Sequence, residues 1–146
     1  MRKQLKDMAP RTSYATEHAP IKIWSESGPE WGDKICAVHR FGPGIDATPA
    51  FQVFPDGLCP APHWGYCFKG EMTVRYKDGT EEILRAGDAF YWPPGHTVLT
   101  DKDAVEDCVL IEFSELADFI AMEKGLGTGD AADRVGGGPA AEEKEK

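Results

Sequence analysis

Three side chains in this sequence are of types that hold a metal ion: Cys59, His63 and, further along, His96. A thiolate and neutral imidazoles suit Zn²⁺, which takes three or four ligands in a roughly tetrahedral arrangement and keeps one position for water in catalytic sites. Cys59 falls in a loop just ahead of His63, and His63 opens a strand-like run in which side chains must alternate. That alternation puts His63, Gly65 and Cys67 on one face and Trp64, Tyr66 and Phe68 on the other. Glu112, on a later apolar run, is an oxygen donor that could complete the set. Cys59 and His63 also have the makings of a thiol nucleophile and its base, although no orienting acid is visible beside them. Each candidate has a plainer reading as well. A histidine at a strand start is often hydrogen-bonded to backbone, and Cys67 and Cys108 fit as small buried packing residues. His18 and His39 have no partner motif.

The elements that must position these residues are short. Strand-length runs recur as IKIW, KICAVHRF, AFQVF, WGYCF, MTVRY, EEIL, AFYW and VLIEF, separated by turn chemistry such as Gly42-Pro43-Gly44, Pro55-Asp56-Gly57 and Pro93-Pro94-Gly95. Asp78-Gly79 predicts a hairpin with a type I′ turn, which needs positive φ at both central residues. The rhythm favours an all-β sandwich or barrel. One helix is expected from about Glu115 to Lys124, capped by Ser114, ended by Gly125, and burying Leu116, Phe119 and Ile120.

Residues 21–124 hold all four Trp, all seven Phe and the whole net charge of −9, so they are the expected domain. The 1–20 stretch reads as an N-terminal arm, partly disordered or swapped onto a partner subunit. The 125–146 stretch reads as a disordered tail, being aromatic-free and glycine-rich. An acidic chain of this kind is a poor match for nucleic acid or anionic lipid. No apolar stretch approaches the length of a membrane span, and the basic start is followed by no apolar core of a secretory signal. Cytoplasmic location and reduced thiols are therefore expected.

Two stretches, GLCPAPHWGYCFKGEMTV at 57–74 and GDAFYWPPGHTV at 87–98, resemble the paired motifs of the cupin superfamily, G(X)5HXH(X)3,4E(X)6G and G(X)5PXG(X)2H. Gly70 takes the last glycine of the first motif, and Gly87, Pro93 and Gly95 fit the second. The resemblance implies a small antiparallel β-barrel, or jelly roll, with a short C-terminal helix added and a mouth that commonly binds a metal. Counting back from Gly70, the usual His, His and Glu positions read Gly57, Cys59 and His63. Counting forward from Gly95, the last histidine position reads Val98. The usual ligand set is therefore absent, and Cys59, His63 and His96 are left as an altered Zn²⁺ or other divalent-metal centre. Cys67, Phe90, Trp92 and Tyr66 are the expected lining of a small-molecule pocket.

Two functions follow as expectations. One is a protein that binds a small molecule in the barrel mouth without catalysis. The other is a metal-dependent enzyme acting on a small organic molecule through the Cys/His centre. Homodimerisation is expected in either case, since proteins of this kind are commonly dimers and the second aromatic face suits sheet-to-sheet packing.

Overall fold

A computed structural model describes residues 2–11 and 21–127. The expected tail from residue 128 onward, and residues 12–20 of the expected arm, lie outside the described residues. Among the described residues, nine strands form two antiparallel sheets. The larger sheet contains β1 (Ala9–Arg11), β2 (Ile21–Ser27), β3 (Lys34–Phe41), β4 (His63–Lys69), β7 (Ala89–Trp92) and β9 (Cys108–Glu115), in the order β1-β2-β3-β9-β4-β7. The smaller contains β5 (Glu71–Tyr76), β6 (Glu81–Arg85) and β8 (His96–Leu99), in the order β6-β5-β8. Among the described residues, two α-helices accompany them: α1 (Thr48–Phe51), between β3 and β4, and α2 (Leu116–Leu126), after β9.

The alternation seen in the sequence sets which face each strand buries. On β3, Ile35, Ala37, His39 and Phe41 point inward, and on β9 so do Cys108, Leu110, Glu112 and Ser114. The small sheet answers with Met72, Val74, Leu84 and Val98, closing one apolar core between the layers. The part of the N-terminal arm at β1 pairs with β2 of its own chain, Pro10 opposite Trp24.

Five local expectations are corrected. AFQVF is not a strand: Pro49 sits in the first turn of the one-turn helix α1, and Phe51 and Phe54 pack together at its end. The β5–β6 hairpin forms, but only Gly79 takes positive φ (83°), with the Asp78 carboxylate accepting from the Thr80 N–H at 2.9 Å. The turn is thus not type I′. Ser114 is still in β9, and Glu115 precedes α2 without a side-chain cap. Gly125 lies inside α2 rather than ending it, its missing side chain leaving room for the Phe54 ring, which a Cβ would meet at 2.4 Å; the helix stops at left-handed Gly127. Its buried positions are Phe119, Met122 and Glu123, in place of the expected stripe of Leu116, Phe119 and Ile120.

Candidate metal centre

Backbone pairing brings two of the three candidate ligands side by side. Cys59, in the loop before β4, bridges His96 at the start of β8: the Cys59 N–H donates to the His96 carbonyl at 2.8 Å, and the Gly95 N–H donates to the Cys59 carbonyl at 2.8 Å. His63 opens β4 opposite Trp92 of β7, and its inward side chain meets the same spot. One ligand atom from each of Cys59, His63 and His96 lies within 4.8 Å of the other two, and all three residues are buried. His96 is a strand residue held inside.

Both imidazoles are oriented from behind. His63 Nδ1 lies 2.6 Å from Ser114 Oγ and Nε2 lies 3.4 Å from Cys59 Sγ. With Nδ1–H donating to Ser114, the Nε2 lone pair faces the thiol. His96 Nδ1 donates to the Pro93 carbonyl at 2.7 Å, which leaves its Nε2 as the free acceptor. This is the arrangement by which outer hydrogen bonds fix the tautomer of ligating histidines.

Two further polar residues line the same cavity. Glu112 Oε1 is 3.5 Å from His63 Nδ1 and 3.1 Å from His39 Nε2. His39 stacks on Phe41, its Nε2 close to Glu112 without hydrogen-bond alignment and its Nδ1 without a hydrogen-bond partner among the described residues. Apolar walls come from Trp92 and Val98, and α2 closes one side with Met122, whose sulfur lies 3.3 Å from Cys59 Sγ. The free volume is about 30 Å³. That exceeds the roughly 10–15 Å³ that one water needs, so the cavity has room for an ion or a water.

Burial decides the protonation states. It lowers the His63 and His96 imidazoles, His96 to about 4 with help from His63, so both are neutral near pH 7. It raises the Cys59 thiol to about 12, and Glu112 adds to the rise. Burial works against the Glu112 carboxylate too, but the His39 and His63 rings outweigh it and hold that group down at about 2. The result is a buried carboxylate whose close nitrogen neighbours are the His39 and His63 imidazoles, next to the lone pairs of His63 and His96 and a thiol. A buried charge of this kind calls for a cation. The donor set of sulfur, nitrogen and oxygen fits Zn²⁺. The thiol-nucleophile reading does gain its orienting acid in Glu112. A neutral thiol that is 1% exposed is nonetheless a poor nucleophile.

Of the expected small-molecule pocket, only Trp92 lines this cavity. Phe90 stacks on Trp92 at 4.1 Å and lies over Gly65, where a Cβ would meet its ring at 2.4 Å. Cys67 points inward but further along the strand, 3.9 Å from Cys108. Tyr66 is on the opposite, outward face, as the period of two requires. Sequence reasoning passed over Ser114 and His39. The signal for His39 was its place among alternating apolar residues of β3, which puts it inside. Read forward from Gly57 instead of back from Gly70, the first cupin-like motif puts His63 and Gly65 at its two histidine positions, in keeping with both lying on the inner face of β4. Val98, at the last histidine position, does line the cavity.

No protein-family model matches the chain, and no curated protein matches it. Solved structures do. The polyketide cyclase RemF from Streptomyces resistomycificus aligns with a TM-score of 0.56 at 14% identity, over 80% of this chain and 79% of that one. A predicted oxalate decarboxylase from Thermotoga maritima aligns with a TM-score of 0.54 at 14% identity, over 80% of this chain and 99% of that one. The iron(II) form of HppE gives 0.56 at 9% identity, over 78% of this chain and 59% of that one. The chain has the cupin fold, a jelly roll with one longer C-terminal helix. Among the described residues, no helix is long and apolar enough to cross a membrane.

Proposed function

We propose that this chain is a metal-dependent cupin-fold protein in which Cys59, His63 and His96 hold a divalent ion, Zn²⁺ by the chemistry of the donors, for action on a small organic molecule. The observation that carries the reading is the convergence of three buried ligand atoms within 4.8 Å. Bound there, the ion supplies Lewis acidity and a more acidic water. The protein's own part is clear from its contacts. Ser114 and Pro93 hold the two rings, Glu112 keeps negative charge at the cavity wall, and Trp92, Val98 and Met122 exclude bulk water. An organic molecule meets the site from the barrel mouth. Fold neighbours described as a polyketide cyclase, an iron(II) protein and a predicted oxalate decarboxylase are consistent with such use of the barrel. We place the expected small-molecule binding at the same mouth.

The test is elemental analysis of untagged protein, dialysed after exposure to zinc, beside His63→Ala and Cys59→Ala. About one zinc per chain in the wild type, lost in both variants, is the expected outcome. A wild type that retains no zinc, or variants that keep it, overturns the reading.

A further inference from the structure

One wall of the candidate centre is a side chain that zinc chemistry does not call for. Met122, on α2, is buried and lines the cavity, and its Sδ lies 3.3 Å from Cys59 Sγ. The helix is held on either side of it. Phe119 sets its ring edge-on to His63 at 6.4 Å, and Gly125 lets the Phe54 ring close against the following turn. Between those two contacts the thioether faces Cys59.

The plain reading is that Met122 fills an irregular gap, as methionines do in cores. Two observations speak against filling alone. Carbon atoms in van der Waals contact stand about 3.5–4.0 Å apart and sulfur is larger, so 3.3 Å is closer than packing brings two sulfurs. A shared proton draws atoms together, yet the Cys59 thiol has one hydrogen, for which His63 Nε2 at 3.4 Å and the Ala61 carbonyl at 3.7 Å also compete. With both rings protonated at Nδ1, four lone-pair atoms meet in one buried place: Cys59 Sγ, His63 Nε2, His96 Nε2 and Met122 Sδ. The thiol hydrogen is all they have to share. An excess of buried lone pairs over hydrogens is costly until a cation sits among them.

The fourth donor selects the ion. Zinc sites in proteins are built from thiolate, imidazole and carboxylate. A thioether is uncharged and soft, and two imidazoles, a thiolate and a thioether together are a donor set of copper. Charge agrees, because Cu²⁺ is balanced by the Cys59 thiolate and the nearby Glu112 as Zn²⁺ would be. We propose, on the reading that Cys59, His63 and His96 hold a metal, that Met122 is a fourth ligand and that the centre selects copper. Zinc offered alone still fills the centre through the first three donors.

Copper outranks zinc at most sites with nitrogen and sulfur donors, so preference by itself decides nothing. What decides is whether binding depends on Met122. The untagged full chain and Met122→Leu, a volume-conserving swap that cores tolerate, are each offered zinc(II), copper(II) or an equimolar mixture and then dialysed. Elemental analysis counts the metal, X-ray absorption at the metal's edge counts its sulfur neighbours, and a competing chelator gives the affinity. The wild type is expected to take about one copper per chain from the mixture, with two sulfurs around copper and one around zinc. Met122→Leu is expected to bind copper about 10-fold more weakly, with one sulfur neighbour, and to hold zinc as before. If Met122→Leu does not fold, selenomethionine-labelled wild type gives the same answer, since Met122 is the methionine that lines the cavity and selenium should appear beside copper. Zinc taken from the mixture, one sulfur on copper in the wild type, no selenium neighbour in the labelled chain, or an unchanged copper affinity in Met122→Leu overturns the proposal. A wild type that nonetheless retains zinc keeps the three-ligand centre, whereas one that takes up neither metal overturns both.

Discussion

The outward faces of the two sheets are made by the same alternation and hold opposite chemistry. On the small sheet they are Glu71, Thr73 and Arg75 of β5 against Arg85, Ile83 and Glu81 of β6, with Arg75 paired to Glu81 at 2.7 Å and Arg85 to Glu71 at 3.4 Å. On the large sheet they are aromatic. The inward faces differ as well. The small sheet gives apolar filling and reaches the site only through its edge strand β8, by His96 and Val98, whereas the large sheet contributes His39, His63, Glu112 and Ser114. Along β4, the residues from His63 to Phe68 alternate between the inner face, where His63 meets the candidate site, and the aromatic outer face. The lesson is that one sheet is scaffold and the other is used on both sides, so its strands tolerate little change from either direction.

A matched pair of substitutions gives the sharpest contrast. At Gly65, in the middle of β4, an added Cβ would lie 2.1 Å from the Ile111 carbonyl oxygen and 2.4 Å from the Phe90 ring. The first of these is backbone and cannot rotate away. Gly65→Ala is expected to cost at least about 3 kcal/mol, enough to abolish soluble protein if the fold is of ordinary stability. At Gly79, in the small-sheet hairpin, nothing lies within 4 Å of the added atom and only the left-handed φ of 83° opposes it. Gly79→Ala is expected to cost about 1–2 kcal/mol. Urea unfolding of both variants measures the difference, and equal losses would remove the claim that the large sheet is the more constrained.

Acid probes the cavity where the two sheets meet. In the metal-free chain, His96 is held at about 4 by burial and by His63, against 6.5 when exposed, and His63 is lowered as well. Between these values the unfolded chain takes up protons that the folded chain refuses, so stability falls as pH drops from about 6.5 toward 4. For His96 alone the loss is of the order of 3 kcal/mol. Glu112, held near 2, adds a further loss as pH falls below about 4.5, since its stabilising charge is then removed. Melting temperature followed from pH 7 to 4 should decline steadily, and His96→Asn should flatten the upper part of that decline. A flat profile in the unsubstituted chain would place the imidazoles in water rather than in the cavity.

How much of this was legible in sequence depends on how local each cause is. The strands were legible because alternation is written in adjacent residues, and the Cys59, His63 and His96 group because its backbone frame lies within two neighbouring motifs. His39 and Ser114 were not legible as site residues. Each meets the cavity only through pairing of β3 with β9 and β9 with β4, between segments far apart in the chain. Ser114 also sits where a helix cap is expected, and nothing nearby shows that its hydroxyl is taken by His63. AFQVF failed for the reverse reason: a short apolar run looks the same in a strand and in a buried turn, and Pro49 alone told against the strand. Tyr66 was placed in the pocket for its chemistry although its own period of two put it outside.

The smallest expected effect concerns the ion pairs that distinguish the small sheet's outer face. Arg75 and Glu81 have side chains 44% and 46% exposed, so water screens them and ordering two long side chains offsets part of the attraction. A double-mutant cycle with Arg75→Ala and Glu81→Ala, read by urea unfolding, should give a coupling of about 0.5 kcal/mol that shrinks further in high salt. These pairs then serve to keep the face wetted and free of association rather than to hold the fold. Their removal should leave the mass in sedimentation unchanged, since Thr73 and the remaining pair still interrupt any apolar surface around Ile83. A coupling above about 2 kcal/mol would mean that the small sheet is stabilised from its outer side after all, and the division into a scaffold sheet and a two-sided working sheet would have to be redrawn.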